Sequence, residues 1–116
     1  MNFDYTEASL ALQARLDDFM QAHLYPIEAE ANAFYQDPKN QWSYWPAFEA
    51  LKEQAKAAGL WNLFLPKAYA PYSPGLTNLE YAPLAELMGR IRFASEVFNC
   101  SAPDTGNMEV LAKYGS

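Results

Sequence analysis

The chain has 116 residues, 51% of them hydrophobic and 16% aromatic, so it is too apolar for a disordered tail and has the size of one domain. Its net charge is -6 and its eight Lys and Arg are scattered, which leaves no basic patch to release counterions from a phosphate backbone and excludes nucleic acid as a partner. Cys100 stands alone, the acidic start lacks the regions of a signal peptide, and no apolar run reaches the roughly 18 residues of a membrane span; the expectation is a soluble, cytoplasmic protein without a disulfide or a transmembrane segment.

Asp4 and Glu7 have the spacing of a capping box, so a first helix is expected to begin there. Leu12, Leu16, Phe19 and His23 recur with helical period and form its inner stripe. Pro26, which lacks an N–H and crowds the preceding turn, should end or kink this helix near Leu24 and open a second, with Ile27, Ala31 and Phe34 inward. Asp37 to Ser43 reads as a surface loop whose aromatic residues fold back at its end, and Pro46 suits the start of a third helix. In that helix Phe48, Leu51, Ala55 and Ala58 face the core. Glu49 with Lys52 and Glu53 with Lys56 pair on the wet side, and Gly59 is placed as a left-handed cap.

"LWNLFLP" follows as extended chain and "KAYAPYSPG" as loop. Thr77 and Glu80 make a second capping box for a fourth helix, bent by Pro83, with Leu84, Leu87, Met88 and Ile91 on one face. After Arg92 the apolar positions continue, but Pro103 and Gly106 predict a broken fifth helix. There is no repeat and no long alternating pattern, so the fold class is all-α: an up-and-down bundle of about five helices.

No catalytic set assembles from these residues. His23 lies alone at the end of an apolar stripe and reads as structural. Cys100 has no neighbour in sequence to lower its pKa and reads as a small packed thiol, while Glu96 and Glu109 read as exposed helix carboxylates. No cluster has metal-ligand spacing, and no Gly-rich turn precedes a helix to hold a phosphate. One stretch is odd. "NCSAPDTGNMEVL", Asn99 to Leu111, puts small polar residues where another helix is due. It is either a plain loop or a place where small side chains leave a slot for something that is not protein.

"GLWNLFLP" (Gly59 to Pro66), "GLTNLEYAPLAELMGR" (Gly75 to Arg90) and "FNCSAPDTGNMEVLAKYGS" (Phe98 to Ser116) together resemble the N-terminal α-helical domain of the acyl-CoA dehydrogenase family. The last two segments resemble the branch whose members are fused to a phosphotransferase-like domain. The resemblance implies that residues 1–116 are the first part of a longer protein that continues into a β-domain and a C-terminal helical bundle. FAD would be held by those parts and by a partner subunit in a homo-oligomer. The implied chemistry is α,β-desaturation of an acyl-CoA thioester, with an electron-transfer flavoprotein or similar acceptor. The family's catalytic glutamate lies in the C-terminal bundle, so no catalytic residue is expected here and the chain alone should be inactive. Its share would be one wall of the acyl channel: Val97, Phe98, Ser101, Ala102 and Thr105 match the positions facing the acyl chain, with Arg90 and Phe93 near its start. Small residues there imply a long, branched or polar-substituted acyl group. Asp104 departs from an apolar wall; capping the helix that starts at Thr105 is favoured over a contact with a polar substrate group or the flavin side. A stand-alone helical interaction module and an acyl-CoA oxidase-like relative are the alternatives.

Overall fold

The computed structural model describes residues 2–116. The first helix, α1, is Glu7–Phe19 and starts from Thr6, whose hydroxyl accepts from the Ser9 N–H at 3.1 Å. The box expected between Asp4 and Glu7 does not form. Thr6 satisfies the free N–H of the first turn and leaves Glu7 inside that turn, where its charge favours the positive helix end.

The helical path does not stop at Phe19. Met20–Leu24 make a π turn and Tyr25–Ile27 a 3-10 turn around Pro26, and α2, Glu28–Gln36, follows directly. Pro26 thus does what its missing N–H requires: it breaks the regular ladder and the chain re-forms a helix beyond it. The extra residue in the π turn rotates the apolar stripe. Leu16, Phe19, Met20 and Leu24 are buried, whereas His23 is carried out to solvent with its ring 4.7 Å from that of Phe19.

Of the aromatic residues expected to fold back after α2, Trp45 does so and is buried, but Trp42 is 91% exposed. The third helix, α3, spans Ala47–Ala57 and buries Phe48, Leu51 and Ala55. It ends at Gly59, φ +71, in a Schellman motif: the Gly59 N–H donates to the Lys56 carbonyl at 3.0 Å and the Leu60 N–H to the Ala55 carbonyl at 2.9 Å. The Arg15 guanidinium donates to the Ala58 carbonyl and so ties this end to α1. Residues 60–66 are not the extended chain expected but a series of turns.

The capping box of α4, Asn78–Met88, is complete. Glu80 accepts from the Thr77 N–H at 2.8 Å and Thr77 from the Glu80 N–H at 3.2 Å. Leu84, Met88 and Ile91 are buried and Pro83 is accommodated within the helix. A single turn, α5, Ala94–Val97, precedes a break, and α6, Asp104–Tyr114, ends the described chain. No side chain caps α6; Asp104 is its first residue, acting through its charge in the first turn rather than as the expected cap.

The fold is all-helical, with five helices of two turns or more and no strand among the described residues. Packing joins α1 to α4 and α3 to α5, while α6 rests on the Lys67–Tyr69 turn. Phe19 and Phe98 meet edge to face at 5.4 Å, as do Trp45 and Phe93, at the centre of the core. No helix among the described residues is long and apolar enough to cross a membrane.

Candidate functional site

The odd stretch begins where α5 stops. Asn99, φ +56, ends α5 in the same Schellman geometry that Gly59 gives α3: its N–H donates to the Glu96 carbonyl at 3.2 Å, and the Cys100 N–H to the Ser95 carbonyl at 2.8 Å. Asn is the side chain that best tolerates this left-handed region. A second left-handed asparagine, Asn62, also φ +56, lies alongside it. The Asn62 N–H donates to the Phe98 carbonyl at 3.2 Å, and the Asn99 amide donates to Asn62 Oδ1 at 2.7 Å. The same amide nitrogen is 3.1 Å from Met108 Sδ in α6. The 60–66 turns, the end of α5 and α6 therefore converge at one junction.

The five residues expected along an acyl chain divide there. Val97 and Phe98 are wholly buried and point into the helical core. Ser101 and Thr105 are half-buried and Ala102 is exposed, joined by the Thr105 N–H donating to the Ser101 carbonyl at 3.2 Å. A methyl group added at Gly106 would meet nothing within 4 Å, so this side of the junction is open. Phe93 is buried and Arg90 exposed.

Beside the junction runs a groove of about 490 Å³, lined by Asn62, Leu65, Tyr72, Met108, Leu111 and Ala112 among others. Sequence reasoning missed these residues. The available signal was the asparagine inside "GLWNLFLP", a residue type that favours a left-handed turn in what was read as extended chain. The groove is lined mainly by apolar and aromatic side chains and by no charged one, so it gives the pyrophosphate of a flavin dinucleotide no cationic partner and does not fit that group. Among the described residues no group of three or more His, Cys, Asp or Glu could hold a metal ion.

Also on α5, Glu96 is half-buried and paired with Lys52 at 2.6 Å, not the exposed carboxylate expected, and Glu49 stays exposed beside Tyr44 without the expected ion pair. Only Glu53–Lys56 forms as foreseen, at 2.7 Å. A cleft of about 340 Å³ opens here between Ala31, Tyr35, Tyr44, Phe48, Arg92 and Glu96. Burial would lower the Lys52 pKa, but hydrogen bonds and charge from Glu96 and Tyr44 outweigh it and raise the value. Burial raises Tyr44 as well.

Cys100 is half-buried, its thiol donating to the Phe98 carbonyl at 3.3 Å. Burial pushes the thiol pKa up against the pull of the neighbouring backbone and the Tyr81 hydroxyl, which leaves a protonated, poorly nucleophilic sulfur. Tyr81 is raised for the same reason, with the thiol adding to it.

No family model matches the chain. It is similar to Acyl-CoA dehydrogenase family member 10 of Mus musculus, 53% identical over 90% of this chain and 10% of that protein. It is also similar to Probable acyl-CoA dehydrogenase FadE2 of Mycobacterium tuberculosis, 43% identical over 100% of this chain and 28% of that protein. Among solved structures, a chain from Mycobacterium abscessus assigned as an acyl-CoA dehydrogenase superposes with a TM-score of 0.82, at 43% identity, over 97% of this chain and 29% of that one. The chain thus spans less than a third of the length of each of these relatives.

Proposed function

We propose, for a chain that belongs to the acyl-CoA dehydrogenase family, that it forms the N-terminal helical domain of a flavin-dependent enzyme that desaturates acyl-CoA thioesters. Its task is to shape one wall of the acyl channel. The observation that carries this reading is the match over almost the entire chain, in sequence and in backbone course, to proteins named as acyl-CoA dehydrogenases.

The residues present set the division of labour. The 101–105 segment is short-chained and open, so Ser101, Ala102 and Thr105 supply the wall, while Val97 and Phe98 hold it from behind by filling the core. The wall orients the acyl chain and excludes water from it, and each methylene it accepts contributes a small increment of binding. FAD, when bound, accepts the hydride. The groove here does not fit it, and the cofactor belongs with parts of the protein beyond this chain, as does the base that removes the α-proton. The acyl-CoA substrate, an electron-transfer flavoprotein as acceptor, self-association and a cytoplasmic location complete the proposal.

Enlarging the wall tests it. In the intact protein, Ser101→Leu with Thr105→Leu should move preference toward shorter acyl chains, changing relative kcat/KM across a chain-length series by roughly 10- to 200-fold. An unchanged series would remove these residues from the channel. Failure of every acyl-CoA to reduce the bound flavin would refute the activity itself.

A further inference from the structure

Each of two loops, 37 positions apart in the sequence, turns on a left-handed asparagine, and the two asparagines are bonded to each other. We propose that Asn62 and Asn99 are a positioning pair: their contact fixes where the 100–105 segment and α6 lie against the packed helices, and through that the shape of the wall offered to the acyl chain. The wall part of this rests on the proposed function.

Four observations lead there. A glycine would adopt the Asn99 conformation more freely, as Gly59 does in the same motif, so the asparagine side chain has a use beyond the turn. That use is visible: its amide donates to Asn62 Oδ1 at 2.7 Å and approaches Met108 Sδ at 3.1 Å, which links α5, the 60–66 turns and α6. Main chain reinforces side chain, since the Asn62 N–H donates to the Phe98 carbonyl at 3.2 Å. Finally, α6 buries none of its residues, so hydrophobic packing does little to place it and the polar junction carries a correspondingly larger share.

Three single variants of the intact protein and the double glycine variant decide the matter. Asn99→Gly and Asn62→Gly keep both left-handed turns accessible but remove the side-chain bond. Asn62→Asp retains an acceptor for the Asn99 amide and serves as the conservative rescue. Hydrogen exchange across Asp104–Tyr114 should quicken about fivefold in either glycine variant, no further in the double variant, and not at all in Asn62→Asp. Exchange in α1 and α4 should be unchanged. The ratio of kcat/KM for the longest and shortest acyl-CoAs accepted should shift about fivefold in the glycine variants and return with Asn62→Asp.

Wild-type exchange in α6 in both glycine variants would overturn the inference, as would costs that simply add in the double variant. Faster exchange with an unchanged kcat/KM ratio would reduce the pair to a structural clasp and overturn its role at the wall. A wild-type protein inert toward every acyl-CoA refutes the proposed function instead, and the exchange measurements then decide the pair by themselves.

Discussion

The helices from α1 to α5 and the final helix α6 are made of similar material but are held in different ways. Every buried apolar residue among those described lies at or before Phe98. Beyond it α6 still carries Val110, Leu111 and Tyr114, yet all three are exposed. Apolar content therefore does not place a helix. Placement follows from a stripe at the right period meeting a complementary surface, which α3 has in Phe48, Leu51 and Ala55 and which α6 lacks within this chain. The first region is held by burial and the second by a polar junction at its N-terminal side.

The strongest way to break this contrast is at Phe98, the last wholly buried side chain before the junction. Phe98→Ala should lower unfolding free energy by about 3–5 kcal/mol in urea denaturation, because it opens a cavity beneath Phe19. A loss below about 1 kcal/mol would mean that the core does not extend to the junction.

The two Schellman ends give a finer comparison. Gly59→Ala should cost about 1–2 kcal/mol, chiefly for a non-glycine residue at φ +71, since the nearby Arg15 tip can move aside. The effect is read as a lowered Tm. An unchanged Tm would show that the turn at α3 relaxes without loss.

Alkaline titration probes the polar groups at the edge of the core. Cys100, Tyr81 and Lys52 all have folded-state pKa values raised above their ordinary 9.0, 10.0 and 10.5, so each binds its proton more tightly when folded. Their contribution is complete below those ordinary values and is lost as pH rises through the folded ones. Stability should therefore decline from about pH 9 upward, and Cys100→Ala should delay the onset. A stability curve flat from about pH 8 to 11 would contradict the burial of Cys100 and Tyr81 and the pairing of Lys52 with Glu96. The smallest effect is expected on α6 itself: Leu111→Ser should change unfolding free energy by no more than about 0.5 kcal/mol, where the same change at Leu84 would be severe. A large loss at Leu111 would erase the distinction between the two regions.

Much of the helical body was legible in the sequence. The Thr77–Glu80 box, the α3 stripe and the Gly59 cap are local patterns, set by residues within one or two turns of each other, and all three formed as read. Two of the misreadings were local and one was decided from across the fold. A π turn ahead of Pro26 carried His23 out of its stripe. Lys52 left its helix neighbour Glu49 for Glu96, 44 positions away, because a half-buried carboxylate gains more from a cation than an exposed one does. Thr6 capped α1 in place of Asp4 because the helix began at Glu7.

The candidate site shows the same division. That the helices would break between Asn99 and Pro103 could be seen in the small residues and the proline, whereas Gly106, read as a further break, lies inside the continuous helix α6. That Val97 and Phe98 would turn inward while Ser101, Ala102 and Thr105 stay near the surface could not, because the direction depends on the left-handed turn at Asn99.

The sequence alone determined the all-helical class, the positions of the breaks and the family resemblance, since these rest on period, capping and turn chemistry that short stretches encode. The tertiary structure decided that the apolar residues of α6 stay exposed, that Lys52 pairs with Glu96, and that Asn62 meets Asn99. Those outcomes depend on contacts between residues tens of positions apart, where burial and hydrogen-bond geometry across the fold outweigh local preference.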